Sequence, residues 1–249
     1  MISIILQGGV GNNLFQVATA FAFGLKHNAE VIFPTTIENP HYEGQQVHQF
    51  TSFKYSDNII PLPTFQEQQF HYKPLPFMDY VCLSGYFQSW RYFNQYRKEL
   101  LAALDFKWEP RGGCAIHIRR GDFLDKPDVH PVITKEYLLE AMKYVVSKTN
   151  SEINFFVYSD DEKWCIETFN EPKFEDYSIV LCHVPDEYDA LQKMSCCEHQ
   201  ITSNSSFGWW AAYLNQNSNK IVVHPKKWFG SEYRHHNTRD LYLSNSIII

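Results

Sequence analysis

The stretch Cys114-Ala-Ile-His-Ile-Arg-Arg-Gly-Asp122 joins a short apolar run to an abrupt cluster of charges. The run up to Ile118 predicts a buried β-strand, because it is short, contains β-branched residues and is bounded by glycines and charges. Similar runs recur along the second half of the chain and are separated by segments with helical spacing. Strands that alternate with helices in this way predict a parallel sheet covered by helices.

The second half of the chain follows this alternation closely. Thr134 has the side chain of a helix cap and precedes a segment with helical spacing that extends to about Ser147. The predicted strands cover residues 114–118, 153–158, 179–182, 200–202 and 221–224. The predicted helices cover residues 134–147, a short segment after Asp161, residues 187–197 and residues 207–215. These repeats predict a doubly wound, Rossmann-like domain.

The first half opens in the same way and then loses its regularity. The predicted βαβ elements are a strand at 2–6, a glycine turn at 8–13, a helix at 14–26 and a strand at 31–33. Residues 35–83 are rich in Pro, Gln, His and aromatic residues, and predict irregular structure with a few short strands. Residues 87–104 carry apolar side chains at helical spacing and predict a helix.

The segment Pro110-Arg-Gly-Gly113 is the best predicted domain boundary, because proline and glycines separate two periodic regions. We therefore expect an N-terminal α/β lobe at 1–110, a Rossmann-like lobe at 111–225 and a tail at 226–249 that packs back on the lobes. The predicted fold class is α/β, with two Rossmann-like lobes that face each other across a cleft. A ligand would bind in that cleft, at the carboxyl ends of the strands.

Composition excludes several classes of protein. The chain has 249 residues, 44% of them hydrophobic, and a formal net charge of -6 that argues against a nucleic-acid partner. The N-terminus lacks the basic region of a signal peptide, and no apolar stretch is long enough to predict a membrane span. The six cysteines are scattered, several within apolar runs, which is typical of reduced thiols. We expect a cytoplasmic protein.

Three segments carry residues suited to an anion. The first is the glycine loop, residues 8–13, in which Gly9, Gly11 and Asn12 precede a predicted helix. Glycines there let the backbone approach a ligand and expose helix N–H groups, although a plain tight turn explains them equally well. The loop is not a P-loop, and Leu14 stands where a dinucleotide-binding loop has its third glycine.

The second segment follows the strand at 114–118. His117, Arg119, Arg120 and Asp122 lie at or just beyond its carboxyl end. The guanidinium group presents a planar set of donors that matches a diphosphate. The alternative is a salt-bridged turn in which Asp122 pairs with an arginine. Because the segment lies at the end of a strand, diphosphate binding is the favoured interpretation.

The third segment contains Asn204, Ser205, Ser206 and Phe207 at the start of a predicted helix. Hydroxyl groups and helix N–H groups suit a phosphate, but Asn204 or Ser205 could equally serve as an ordinary helix cap. We expect the following pair, Trp209-Trp210, to pack in the core in preference to stacking on a sugar.

Two acidic positions have weaker signals. Asp160 follows a predicted strand and could bind a ribose or a metal. The favoured interpretation is a structural role at the capped start of the next helix. Asp189 by itself is typical of a surface charge. Neither His235-His236 nor Cys196-Cys197 has the spacing of a metal site, so we predict no bound metal.

The motifs taken together resemble glycosyltransferase family 11, the α-1,2-fucosyltransferases. The resemblance rests on Gln7-Gly-Gly-Val-Gly-Asn-Asn-Leu-Phe-Gln-Val-Ala18, Gly85-Tyr-Phe-Gln-Ser-Trp-Arg-Tyr-Phe93, His117-Ile-Arg-Arg-Gly-Asp122 and Asn204-Ser-Ser-Phe-Gly-Trp-Trp-Ala211. It runs nearly from end to end. The chain departs from the family at Asn13, where the usual residue is the longer amide Gln.

The resemblance implies a GT-B-like fold, GDP-β-L-fucose as donor substrate, an acceptor glycan as partner, inversion at the anomeric carbon and no metal or other cofactor. Arg119 would bind the donor diphosphate, and His117 and Asp189 would meet guanine. Ser205, Ser206 and Phe207 would close over the phosphates, and the glycine loop with Asn12 would approach donor and acceptor.

The resemblance leaves the general base open. Asp122 is the first candidate and His117 the second, while Asp122 could instead form a salt bridge that orients Arg119 or Arg120. Two other functions also stay open, namely transfer of a different sugar from its nucleotide and silent binding of a sugar nucleotide. The cluster of arginines argues against a hydrolase that uses paired carboxylates.

Overall fold

The computed structural model describes residues 1–40, 47–149 and 152–249. The chain divides into two compact units. Unit 1 contains Met1–Phe106 and His236–Tyr242, and unit 2 contains Lys107–His235 and Leu243–Ile249. None of the helices in the described part of the chain is both long enough and apolar enough to cross a membrane.

Unit 1 is built on a three-stranded parallel sheet in the order β1-β5-β4, with β2 and β3 paired separately. Its elements are β1 (Ile2–Ile4), β2 (Gln7–Gly8), α1 (Val10–His27), β3 (Glu38–Pro40), β4 (Thr64–Gln66), β5 (Val81–Ser84) and α2 (Arg97–Ala103). The predicted strand at 31–33 is reduced to isolated parallel bridges. Part of the irregular region predicted at 35–83, residues 41–46, lies outside the described residues.

The first helix begins earlier than its periodicity predicts. Gly9 has extended backbone angles and caps α1, and its carbonyl accepts hydrogen bonds from the N–H groups of Asn12 and Asn13. Four residues assigned to the glycine turn, 10–13, therefore belong to the start of the helix, because backbone bonds to the capping carbonyl are already possible there.

The predicted helix over 87–104 is wrong for most of its length. Only Arg97–Ala103 is α-helical, and two short 3₁₀ helices precede it. Ser89 Oγ accepts a hydrogen bond from Arg91 N and caps a separate turn, and Phe93 leaves the helical region with φ −131°. Local side-chain capping thus outweighs the helical spacing of the apolar residues.

Unit 2 contains a six-stranded, entirely parallel sheet in the order β11-β10-β9-β6-β7-β8. Its elements are β6 (Arg111–Ile118), α3 (Lys135–Thr149), β7 (Asn154–Ser159), α4 (Glu162–Phe169), β8 (Ser178–Leu181), α5 (Glu187–Cys196), β9 (Cys197–Ile201), α6 (Ser206–Leu214), β10 (Val222–His224) and β11 (Ile247–Ile248). Every strand and helix predicted for this region is present, and β11 is an additional edge strand.

Alternate residues of β6 face opposite sides of the sheet. Cys114, Ile116 and Ile118 point into a core shared with α3 and α4, and all three are fully buried. His117 faces α6, where Trp209 and Trp210 are also fully buried. The two tryptophans therefore belong to the core and do not offer a surface to a sugar ring.

Unit 2 starts at Lys107, four residues before the predicted lobe. Trp108 Nε1 donates a hydrogen bond of 3.2 Å to the carbonyl of Ser195, and Glu109 N approaches Cys196 Sγ at 3.3 Å. These contacts with the end of α5 attach the connecting segment to unit 2.

The C-terminal tail divides between the units. Its segment 236–242 belongs to unit 1, where Asp240 is buried and accepts a hydrogen bond of 2.8 Å from Tyr72 N. Arg91 pairs with the same carboxylate at 3.4 Å, and Trp90 Nε1 donates to the carbonyl of Tyr242 at 3.0 Å. The last residues return to unit 2 as β11.

Candidate functional site

The carboxyl edge of the unit 2 sheet brings two charged segments together. In the parallel pair β6–β7, Ile118 lies opposite Ser159. The residues that follow each strand, the β6 loop (119–122) and Asp160-Asp161, therefore meet at the same edge of the sheet. This is the edge at which parallel α/β sheets bind ligands.

Arg119 is held between two carboxylates at this edge. Its Nη1 lies 2.8 Å from Asp160 Oδ2, and its Nη2 lies 2.7 Å from Asp122 Oδ1. Its Nε donates a further hydrogen bond of 3.0 Å to Asp122 Oδ1. The side chain keeps 23% of its surface exposed. Paired charges on two sides fix the plane of the guanidinium while leaving it accessible.

Asp160 organises the β6 loop through the backbone as well. Its carboxylate accepts hydrogen bonds from Arg120 N at 2.8 Å and from Gly121 N at 3.1 Å. With the ion pair to Arg119, both of its oxygens contact the protein. The structure thus gives Asp160 a position in which it shapes the loop.

Arg120 points to a different partner from Arg119. Its Nε donates a hydrogen bond of 2.9 Å to Asp161 Oδ2, and its guanidinium lies 4.1 Å from the centre of the Trp164 ring. Asp161 also caps α4 by accepting from Trp164 N at 3.1 Å. Arg120 thus anchors the loop to α4, whereas the salt bridge between Asp122 and an arginine that the sequence left open is present at Arg119.

His117 is buried beneath the edge as a neutral imidazole. Its Nδ1 shares a hydrogen bond of 2.9 Å with Ser203 Oγ. Burial lowers the pKa of His117 to about 4, with a smaller opposing effect from Asp160 and a small further lowering by Arg119. A group with so low a pKa is a weak proton acceptor at neutral pH.

Helix α6 follows strand β9, the strand that pairs with β6 in the sheet. Ser205 caps the helix, since its Oγ accepts from Phe207 N at 3.3 Å, and Ser206 is the first helical residue. The Phe207 ring lies 5.6 Å from the His117 ring. Asn204 is buried, and its Nδ2 donates to the carbonyl of Trp228 at 3.0 Å.

Asp189 lies on the same sheet edge, in the first turn of α5 after β8. Its side chain is 58% exposed and lies 3.7 Å from Lys193 Nζ. The remaining predicted residues, Gly9, Gly11 and Asn12, belong to unit 1, where Gln88 Nε2 donates a hydrogen bond of 2.7 Å to Asn12 Oδ1.

Two residues of this site escaped the sequence analysis. Ser203 is fully buried and binds His117, but a serine in a polar turn gives no signal of its partner. Gly208 lets α6 approach β6, because a Cβ there would lie 2.6 Å from His117 Nδ1. A glycine inside an apolar helix was the available signal for such a close approach.

Among the residues that the structure describes, no cluster of three or more His, Cys, Asp or Glu side chains could hold a metal ion. Positive charge at the edge is supplied by Arg119 and by the N-terminus of α6. The arrangement presents hydrogen-bond donors and positive charge that suit an anion such as a diphosphate.

Comparison with known proteins identifies the family. The profile described as Glycosyl transferase family 11 matches residues 62–249. The chain belongs to glycosyl transferase family 11. The resemblance of the sequence motifs to this family is thereby confirmed.

Two of the similar proteins are named for the transfer of different sugars. The O-antigen biosynthesis glycosyltransferase WbnK of Escherichia coli is 30% identical over 66% of this chain and 60% of its own length. The alpha-1,2-colitosyltransferase of Escherichia coli is 24% identical over 91% of this chain and 92% of its own. The galactoside alpha-(1,2)-fucosyltransferase 2 of Oryctolagus cuniculus is 23% identical over 86% of this chain and 67% of its own. The chain thus spans less than two thirds of WbnK.

Solved structures share the fold. The fucosyltransferase NodZ from Bradyrhizobium matches with a TM-score of 0.53 and 11% identity, over 84% of this chain and 92% of its own. POFUT1 in complex with GDP-fucose matches with a TM-score of 0.51 and 13% identity, over 89% of this chain and 96% of its own. With the parallel sheets of both units, these matches confirm the predicted α/β, GT-B-like fold class.

The close approach of α6 to β6 predicts a large effect of one methyl group. We expect Gly208→Ala to lower the free energy of unfolding by about 1–3 kcal/mol, because the new Cβ overlaps the buried His117 ring. The matched control is Gly112→Ala, where an added Cβ has no atom within 4 Å. The control should change stability by less than about 0.5 kcal/mol in urea unfolding. Equal effects of the two variants would contradict the packing argument.

Proposed function

We propose that the protein transfers L-fucose from GDP-β-L-fucose to a hydroxyl of an acceptor glycan, with O2 of a galactoside as the acceptor position. The observation that carries the proposal is the orientation of Arg119 by Asp122 and Asp160, in a chain of glycosyl transferase family 11. Support for fucose as the sugar comes from the relative named galactoside alpha-(1,2)-fucosyltransferase 2.

The proposed site of the donor is the carboxyl edge of the unit 2 sheet. There Arg119 binds the diphosphate and neutralises the charge that develops as GDP departs. The N-terminus of α6 adds the positive end of its helix dipole, with Ser205, Ser206 and Phe207 next to the phosphates. His117 and Asp189 are proposed to contact guanine.

The proposed reaction is a single displacement. The acceptor oxygen forms a bond to C1 of fucose while the bond from C1 to the β-phosphate oxygen breaks, and a carboxylate takes the proton of the acceptor hydroxyl. Attack from the face opposite the diphosphate converts the β-linked donor into an α-linked product. No metal is needed in this scheme, because Arg119 and the helix stabilise the leaving group.

Asp122 is the proposed base. Its side chain is 46% exposed, so an acceptor hydroxyl can reach it, and both of its contacts with Arg119 use Oδ1. Oδ2 is then the atom that receives the proton. His117 is the weaker candidate, because burial holds its pKa near 4.

A second candidate function is transfer of colitose, a sugar that differs from fucose in lacking the hydroxyl at C3. The observation that favours it is the match to the alpha-1,2-colitosyltransferase over 92% of that protein. A site that binds the C3 hydroxyl would reject colitose strongly, whereas an apolar site would discriminate weakly. A comparison of GDP-fucose with GDP-colitose therefore tests whether the site binds the C3 hydroxyl.

A cytoplasmic location is part of the proposal. All six cysteines are free thiols in the structure, as expected in a reducing compartment.

The direct test of this function is a donor and acceptor panel. Purified protein would be incubated with GDP-fucose, GDP-colitose, GDP-mannose or UDP-galactose and a series of β-galactosides. We expect turnover with GDP-fucose and an α-linked product, detected by NMR of the anomeric proton. Higher kcat/KM with GDP-colitose would favour the second candidate, and binding of GDP-fucose without turnover would favour a silent binding protein.

The leaving-group role of Arg119 predicts a specific kinetic loss. We expect Arg119→Ala to lower kcat by about 100- to 1,000-fold, because the developing charge on GDP loses its oriented donors. The control is Arg234→Ala, which removes an exposed arginine of the same unit and should leave kcat unchanged. Thermal unfolding of each variant reports whether the fold survives. Near-normal kcat in folded Arg119→Ala would exclude this role.

Metal independence predicts full activity after chelation. We expect the initial rate in 5 mM EDTA to equal the rate in added Mg²⁺ or Mn²⁺, because protein groups alone stabilise the diphosphate. Dialysis against EDTA followed by rate measurement is the check. A requirement for Mn²⁺ would assign leaving-group stabilisation to a metal.

A further inference from the structure

A partly buried carboxyl group lies at the carboxyl edge of the unit 1 sheet. Glu67 directly follows β4 and faces the peptide that follows β5. Its Oε2 accepts hydrogen bonds from Tyr86 N and Phe87 N, both at 2.9 Å. Its Oε1 is buried and has no hydrogen-bond partner among the described residues. No step of the proposed reaction uses this carboxyl group.

The surroundings of Glu67 contain no compensating cation in the described part of the chain. Burial raises the pKa of Glu67 to about 7, and the hydrogen bonds from Phe87 N and Tyr86 N oppose this only partly. The titratable group that faces it is the hydroxyl of Tyr92.

More distant charged groups act on Tyr92 and not on Glu67 directly. Tyr92 also lies beside Tyr72 and the carboxylate of Asp240. Arg91 pairs with Asp240 and stacks 4.9 Å from the Tyr72 ring, so its charge is already engaged. Burial without a nearby cation is thus what raises the pKa of Glu67, and perturbed pKa values of this kind cluster at functional sites.

Glu67 holds a strained segment, which we call the 85–88 turn. Gly85 and Phe87 have φ values of 146° and 49°, and the second is unfavourable for a residue with a large side chain. A Cβ at position 85 would lie 2.4 Å from the Glu67 Cβ, so the glycine also permits the close approach. Strained conformations of this kind persist only where surrounding contacts enforce them.

The opposite side of the 85–88 turn is bound to the first helix. Gln88 Nε2 donates to Asn12 Oδ1 at 2.7 Å, and Gln16 Nε2 donates to the carbonyl of Gly85 at 3.0 Å. Gln16 Oε1 in turn accepts from Asn13 Nδ2 at 3.2 Å. The turn thus connects Glu67 to the glycine loop through a continuous chain of hydrogen bonds.

We propose that Glu67 is a positioning residue that holds the 85–88 turn against Asn12, and that its ionisation sets the pH range in which the glycine loop binds the acceptor sugar, a role that the family resemblance implies for this loop. The predicted effect on acceptor binding rests on the proposed function. The role of Glu67 in holding the 85–88 turn does not.

The ionised form is the active one for a simple reason. A carboxylate forms stronger hydrogen bonds with backbone N–H groups than a neutral carboxyl group does. Protonation weakens both bonds to the turn and places an O–H group where Oε1 has no acceptor in the described structure. The strained peptide at Phe87 can then relax, and Gln88 and Asn12 lose their fixed positions.

The test compares the wild type with Glu67→Gln. The glutamine oxygen can accept from the same two N–H groups at every pH, but it does not ionise. We expect kcat/KM for the acceptor to rise about tenfold from pH 6 to pH 8 in the wild type, through the acceptor KM, and to change less than about twofold in Glu67→Gln. The matched control Glu99→Gln alters an exposed glutamate of unit 1 and should keep the wild-type profile.

Two kinetic outcomes would overturn the proposal. A pH step that persists unchanged in Glu67→Gln would assign the titration to another group. A loss of kcat of about 100-fold or more in Glu67→Gln at every pH, with the acceptor KM unchanged, would make Glu67 the general base.

A structural readout separates this proposal from the proposed function. The amide ¹⁵N signals of Tyr86 and Phe87 should titrate together near pH 7 in the wild type and stay constant in Glu67→Gln. If these signals titrate but no sugar is transferred at any pH, the proposed function fails and the role of Glu67 in the turn stands. If they do not titrate, the role of Glu67 fails, whatever the transferase activity is.

Stability provides a check that Glu67→Gln folds and that the carboxyl group titrates. The pKa of Glu67 is higher in the folded protein than in the unfolded chain, so the folded state binds more protons between about pH 4.5 and pH 7. The Tm of the wild type relative to Glu67→Gln should therefore fall as pH rises through this range and level off above it. A constant Tm difference would contradict the raised pKa.

Discussion

The hydrogen bonds and ion pair of Asp160 are the interactions on which the unit 2 site depends. A parallel sheet leaves backbone N–H groups without strand partners beyond its carboxyl edge. Asp160 accepts from two consecutive ones, at Arg120 and Gly121, and pairs with the guanidinium of Arg119. This is possible because the register of β6 and β7 makes the two strands end side by side. One carboxylate thus determines both the shape of the β6 loop and the direction of Arg119.

The same arrangement limits how much positive charge the site offers. Arg119 lies between two carboxylates, so the three groups together carry a net negative charge. The buried His117 beneath them is neutral and adds nothing to the charge. The proposed binding of a diphosphate would therefore draw on directed hydrogen bonds and on the N-terminus of α6 and not on net charge. Orientation of the donors matters more here than a large positive potential.

Unit 1 uses hydrogen bonds in place of ion pairs at its own carboxyl edge. Amide side chains of Asn12, Gln16 and Gln88 connect α1 to the 85–88 turn, and Glu67 completes the connection without a cation. A partly buried carboxylate without a cation is sensitive to pH, whereas in unit 2 desolvation of Asp161 is outweighed chiefly by the hydrogen bond and charge of Arg120, which lower its pKa. The two units thus differ in which of their contacts respond to protonation.

The sequence by itself determined the repeated β–α pattern of unit 2, the family, and the segments that carry charge at strand ends. Apolar periodicity and strand-end positions depend on neighbouring residues in the chain, so they can be read locally. Only the tertiary structure decided that Arg119 and Arg120 face different carboxylates, that Ser205 caps α6, and that residues 87–96 form short 3₁₀ helices. It also decided the surroundings of Glu67, which lies in a segment without periodicity and acquires its raised pKa from burial against the turn after β5. Burial and hydrogen-bond partners depend on residues distant in the chain, and no local pattern records them.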